Sequence, residues 1–122
     1  MIKVGTVLKA CDNSGAIRIK CIKILKKRNL GSGQIGDILL VVVKKVKKTS
    51  KIKEKTIQKC MLVRYKQAIL DKNGNYIKFY DNAAVLLNNK LQPIGTRIFG
   101  PVSQLIKKTK NIKLITLCPR IL

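Results

Sequence analysis

Histidine and tryptophan are absent from this chain and acidic residues nearly so: 5 Asp and Glu stand against 27 Lys and Arg, a formal charge of +22 over 122 residues. Without histidine, and with its few carboxylates scattered, the chain lacks the usual general acids and bases. No paired carboxylate, G-x-S-x-G or phosphate-loop motif compensates. Lysine and cysteine can serve as nucleophiles, yet nothing beside them looks like an activating base. The expected class is therefore not an enzyme, with no catalytic residue. The 4 cysteines, Cys11, Cys21, Cys60 and Cys118, are far apart and form no C-x-x-C pair, whereas zinc ligands come in close pairs. Buried thiols in a reducing compartment are expected, with neither metal nor cofactor. The longest apolar run, ILLVVV at 38–43, falls far short of the roughly 20 residues that a membrane-spanning helix needs. No membrane insertion is expected. The opening MIKVG enters strand-like sequence at once, without a signal peptide or transit segment, which favours synthesis where the protein works. Aromatic residues make up only 4% of the chain and form no cluster like that of an RNA-recognition motif, so base stacking is not expected to be the main mode of any nucleic-acid contact.

What is present is aliphatic and cationic. At 46% hydrophobic, with Ile, Leu and Val spread along the whole length, the sequence has the material for a buried core and is not a disordered basic tail. A charge of this size repels itself until a polyanion neutralises it, which makes nucleic acid the expected partner. The basic residues are mostly lysine, and Ile and Asn are abundant. This is the bias of a genome drifting toward A and T, as in an organelle or an AT-rich bacterium.

Apolar residues recur mostly at a spacing of two, so strands dominate. A first strand at 6–10 leads into the turn Asp12-Asn13-Ser14-Gly15. The next strand alternates Ile17, Ile19, Cys21 with Arg18 and Lys20, then shifts parity to Ile22 and Ile24, which predicts a β-bulge near Cys21 and Ile22. The run 38–43 is apolar on both faces, as in a strand at the middle of a closed sheet. Residues 44–59 are basic with few aliphatics and read as a projecting ribbon. Strands follow at 60–65 and 82–87, with a hairpin around Asn73-Gly74 joining 67–70 to 76–80. Ser103 is suited to cap a short helix reaching Lys108, and 112–117 reads as a last strand. The expected fold is mainly β: one domain over 1–122, a small five-stranded β-barrel with a projecting basic β-ribbon and a C-terminal segment with short helices.

Two stretches stand out. The cations at 44–55 form a charge run that a solvated face would also explain, but a long unburied ribbon needs a partner to order it, and phosphates suit it. The stretch QPIGTRIFGPV at 92–102 sets two glycines and two prolines around a lone arginine. A tight turn would suffice to explain it, yet Arg97 offers a planar donor fork suited to phosphate.

These residues carry a resemblance. ACDNSGA at 10–16, Cys21-Ile22-Lys23, Gly36-Asp37-Ile38 and above all VLLNNKLQPIGTRIFGPV at 85–102 are similar to the ribosomal protein L-fourteen family, from end to end. The resemblance implies a structural constituent of the large ribosomal subunit that binds large-subunit rRNA, contributes to bridges with small-subunit rRNA and packs on neighbouring large-subunit proteins. On this reading rRNA binding falls to Asp12, Asn13, Ser14, Arg18, Lys20, Lys23, Lys44, Lys45, Lys47, Lys48, Lys51, Lys53 and Arg64. Thr96, Arg97, Lys107, Lys108 and Lys113 face the subunit interface or a ribosome-silencing factor. The sequence departs from the family pattern where Gln104 and Leu105 follow Ser103, and at 67–70, where QAIL replaces a basic cluster. Such divergence points to the large subunit of a mitochondrial ribosome, with a plastid-type organelle or the bacterial cytoplasm as alternatives. The competing reading is an exchangeable RNA-binding translation or assembly factor with an OB-like barrel, which calls for exposed aromatics on its sheet.

Overall fold

Alternating burial along the strands builds two apolar layers, one inside a barrel and one on its outside. The computed structural model describes residues 2–25, 32–70 and 73–122. Strands β1 (Val7–Ala10), β2 (Ala16–Leu25), β3 (Ile38–Val46), β4 (Ile57–Arg64) and β7 (Ala83–Leu87) close into a barrel in the order β1-β2-β3-β4-β7. All neighbours are antiparallel except β1 and β7, which run parallel at the closure, Lys9 opposite Ala83 and Ala10 opposite Ala84. Two-residue strands β5 (Ile69–Leu70) and β6 (Tyr76–Ile77) pair around Gly74, as the Asn-Gly signal predicts.

Period-two side chains from all five barrel strands fill the interior: Leu8, Ile19, Cys21, Leu39, Val41, Val43, Cys60, Leu62, Ala84 and Leu86. The expected bulge exists, since the register between β2 and β3 slips between Cys21 and Lys23; further slips fall between Ala16 and Arg18 and between Arg18 and Ile19. On β3 only Leu39, Val41 and Val43 are buried, whereas Ile38, Leu40 and Val42 are half-buried. The outer face of that strand is covered less than its composition predicts. By contrast β4 from Cys60 onward and β7 are covered on both faces. Their outward residues Met61, Val63, Ala83, Val85 and Leu87 meet Ile98, Val102, Ile106 and Leu114 from the C-terminal segment.

That segment departs from the expected strand at its end. Gln104–Thr109 is a 3-10 helix with Ser103 as N-cap, as expected, but Ile112–Leu117 is a helix, α1. The apolar run IKLITL fits either period, and the cap decides. The Asn111 side chain accepts from the Leu114 N–H at 3.3 Å, and Leu114 and Leu117 then share the face that packs on the outer layer.

The basic stretch also differs in form. β3 carries Lys44 and Lys45 to Val46, paired with β2, and residues 47–56 are a series of turns. Ile52 is buried in the inner layer, so this stretch folds back on the barrel instead of projecting as a ribbon. A single apolar anchor in a lysine-rich run is enough to do this.

Candidate nucleic-acid interface

The turn Asp12-Asn13-Ser14-Gly15 joins the two stretches that the sequence singles out. Toward 92–102, Asn13 acts as a clamp: its Oδ1 accepts from the N–H groups of Thr96 (2.7 Å) and Arg97 (3.1 Å), and its Nδ2 donates to Thr96 Oγ1 (2.8 Å). The Phe99 N–H donates to the Cys11 carbonyl at 2.6 Å. Toward the basic turns, the Lys47 N–H donates to the Gly15 carbonyl (2.8 Å) and Ser50 Oγ to the Ser14 carbonyl (3.4 Å). Thr96 and Arg97, the turn, and Lys47, Lys48, Lys51 and Lys53 therefore lie along one connected rim, with all these cations exposed.

Asp12 supports the rim from within. It is 5% exposed; Ser14 Oγ donates to its Oδ1 (2.7 Å) and the Leu86 N–H to its Oδ2 (3.2 Å). Burial pushes its carboxyl above the usual carboxylate range, and the bonds from Ser14 and Leu86 pull it back. Its expected contact with RNA is corrected: a buried carboxylate with both oxygens occupied shapes the turn.

Arg64 is corrected more sharply. Expected on the RNA-binding face, it is 6% exposed and forms a bidentate pair with Asp81, Nε to Oδ1 at 2.6 Å and Nη2 to Oδ2 at 3.2 Å. Its Nη1 donates to the carbonyls of Phe99 (3.0 Å) and Pro101 (3.1 Å). The guanidinium thus fastens the end of the 92–102 loop to β4, while Ile98 and Val102 sink into the outer layer. Gly100 is required here: its φ is +80°, and an added Cβ would lie 2.5 Å from Arg64 Nη1. Gly100→Ala should lower unfolding free energy by about 1–3 kcal/mol, from the left-handed backbone and the crowded guanidinium together. A urea titration measures this, and an unchanged midpoint would show that the loop is not held by Arg64.

With its ends fixed, the loop presents its middle. Arg97 is exposed, its Cζ 5.9 Å from the centre of the Phe99 ring, and Phe99 is itself 47% exposed. The face is therefore a preset cation on an aromatic support.

On the barrel wall, register creates a site that reading along single strands misses. Lys9 on β1 is opposite Arg18 on β2, and Arg18 is opposite Lys45 on β3. Three exposed cations thus adjoin across three strands, with the Arg18–Lys45 pairing at a slip in the β2–β3 register. Like charges facing one another destabilise a sheet, and among the described residues Asp81, 4.0 Å from Lys9, is the acid that offsets them. Phosphate is the complement such a row fits. Lys20 and Lys23 are exposed further along β2, and Lys44 beside Lys45 on β3.

Lys107 and Lys108 are exposed on the 3-10 helix, and Lys113 on α1. Lys113 lines a groove with Lys90, Leu91, Lys110 and Ile112, where Asn111 Nδ2 donates to the Leu91 carbonyl at 2.8 Å. Leu91 (φ 61°) and Lys110 (φ 56°) both hold left-handed backbone in this groove.

The thiols take no part in the interface. Burial pushes Cys11 up to about 12 and raises Cys60 as well, keeping both protonated and unreactive at neutral pH. No helix among the described residues is long and apolar enough to cross a membrane. Against known families, the model of ribosomal protein L14p/L23e matches residues 1–122, the whole chain.

Proposed function

The chain belongs to the ribosomal protein L14p/L23e family, structural proteins of the large ribosomal subunit, and from that premise we propose how its surface is used. The barrel wall and the basic turns bind large-subunit rRNA by neutralising phosphates, through Lys9, Arg18, Lys20, Lys23, Lys44, Lys45, Lys47, Lys48, Lys51 and Lys53. The single observation that carries this is the row Lys9, Arg18, Lys45, a like-charge alignment that costs the free protein stability and that a phosphate backbone reverses. Neighbouring large-subunit proteins cover apolar surface such as Ile57 and Val4, 60% and 64% exposed.

The loop around Thr96 and Arg97 belongs to the subunit interface, in contact with small-subunit rRNA or a silencing factor. Its support is the contrast between well-fixed ends and an exposed, preset arginine. The groove beside Lys113 adds to it, since left-handed backbone at residues other than glycine gathers at functional sites. A mitochondrial ribosome is the setting that the Lys-, Ile- and Asn-rich composition favours. Arg97→Ala should weaken association of the two subunits several-fold while leaving incorporation into the large subunit near normal, as read from gradient profiles at graded magnesium. Equal loss of both would assign Arg97 to assembly contacts within the large subunit.

A further inference from the structure

Residues 76–80 carry an arrangement that phosphate neutralisation does not use. Burial alternates along this stretch: Ile77 and Phe79 pack against the outer layer, while Tyr76, Lys78 and Tyr80 point away from it. Tyr76 is 73% exposed and Tyr80 99% exposed. The chain has only 3 tyrosines and 2 phenylalanines, and two of the five rings stand bare in one short row with a lysine between them. Aromatic rings contribute most when covered, so rings left this open mark a surface awaiting a planar partner.

The surroundings define that partner. Tyr80 and Phe79 line a hollow with Lys66, Lys78, Gln67 and Asn82. The Lys66 N–H donates to Asn82 Oδ1 at 2.9 Å, fixing the segment that carries the lysine. Asp81, the acid nearest in sequence, is engaged by Arg64. Lys66 and Asn82 also line the adjoining hollow that contains Lys9 and Arg18. The aromatic row is therefore continuous with the cation row, and a chain of phosphates lying on the latter would lead its bases onto the tyrosines. Tyr76 and Tyr80 are four residues apart, up to roughly 13 Å in extended chain, which is farther than one phosphodiester link spans, so bases on the two rings come from non-adjacent nucleotides and Lys78 lies beside the phosphates between them.

We infer that Tyr80, with Tyr76, is a stacking platform for unpaired bases of a single-stranded rRNA segment, whose phosphates are held by Lys78 and Lys66. The inference rests on the RNA-binding reading above and names the part of the RNA that this face takes. Stacking on aromatics is tolerant of sequence and is available only to bases released from a helix.

Because Tyr80 is almost wholly exposed, changing it leaves the packing intact. Tyr80→Trp makes the sole tryptophan of the chain, a direct reporter of stacking. Adding a short oligoadenylate RNA should quench its fluorescence, and a fully paired RNA duplex should not. Tyr80→Ala should weaken oligoadenylate binding roughly 5- to 150-fold while leaving duplex binding within about twofold. Absence of quenching, or oligoadenylate binding by Tyr80→Ala as tight as that of the unchanged protein, would overturn the inference and assign the face to a protein neighbour. Failure of the ribosomal reading would show separately, as loss of co-sedimentation of the unchanged chain with large subunits.

Discussion

Arg64→Ala is expected to lower the unfolding free energy by about 2–4 kcal/mol, because Arg64 is buried but its partner Asp81 is 34% exposed, so the loss falls short of that for a fully buried ion pair. That corresponds to a fall in midpoint temperature on the order of 10–20 °C for a domain of this size. The change strands Asp81 without its bidentate partner and leaves the carbonyls of Phe99 and Pro101 without their donor. Arg64→Lys should recover only part of the loss, because an ammonium cannot reach the carboxylate and both carbonyls with a fixed fork. Thermal unfolding of the free protein tests this. A loss below about 1 kcal/mol would mean that Arg64 is a surface cation after all, and its expected RNA-binding role would return.

The correction at Arg64 shows what a sequence carries and what it hides. An arginine at the end of a strand reads as a solvent-facing charge, and its partner Asp81 is 17 positions away. A local signal did exist: CMLV at 60–63 is apolar on both faces, so a cation ending that run is hemmed in by covered surface. Most of the barrel was legible because its strands keep a spacing of two, and the bulge at Cys21 because that spacing visibly breaks. Segment 112–117 was not, since six residues of mixed aliphatics satisfy both periods and only Asn111 decides between them. Residues 44–59 read as a projecting ribbon because their aliphatics are few, yet one of them, Ile52, is enough to hold the stretch to the barrel. The joining of Asn13 to Thr96 spans 83 positions and leaves no local trace. The cation row was half legible: Arg18 and Lys45 were singled out, but Lys9 joins them only through register.

The second large effect concerns that row. Replacing Lys9, Arg18 and Lys45 together with threonine, a residue that suits strands, should move two properties in opposite directions. Affinity for rRNA should fall roughly 10- to 100-fold at low salt, and the slope of log affinity against log salt should shrink by about 2–3. The free protein should become more stable by up to about 1 kcal/mol, since like charges no longer face one another across three strands. Filter binding across a salt series, beside urea denaturation, measures both. Loss of affinity accompanied by loss of stability would show that the cations support the barrel and meet no phosphate.

Position explains why one short loop has attracted so many constraints. Ile98 and Val102 anchor it in the outer layer, Arg64 and Gly100 fix its end, the Ile94 N–H on the Leu86 carbonyl holds its start, and Asn13 holds the backbone of its middle. What remains free is Arg97 over Phe99. A loop held this firmly presents its cation with little loss of backbone conformational entropy on binding, which favours docking between large rigid bodies.

The central claim is that this chain is a built-in part of the large subunit, with rRNA as its counter-charge. It is tested most directly by separating a lysate of the native source on a sucrose gradient after a high-salt wash, and following the protein across the fractions. Retention with the large subunit is the predicted result, because many phosphate contacts made together resist a salt concentration that would release one. Release to the top of the gradient would contradict it and favour the exchangeable factor.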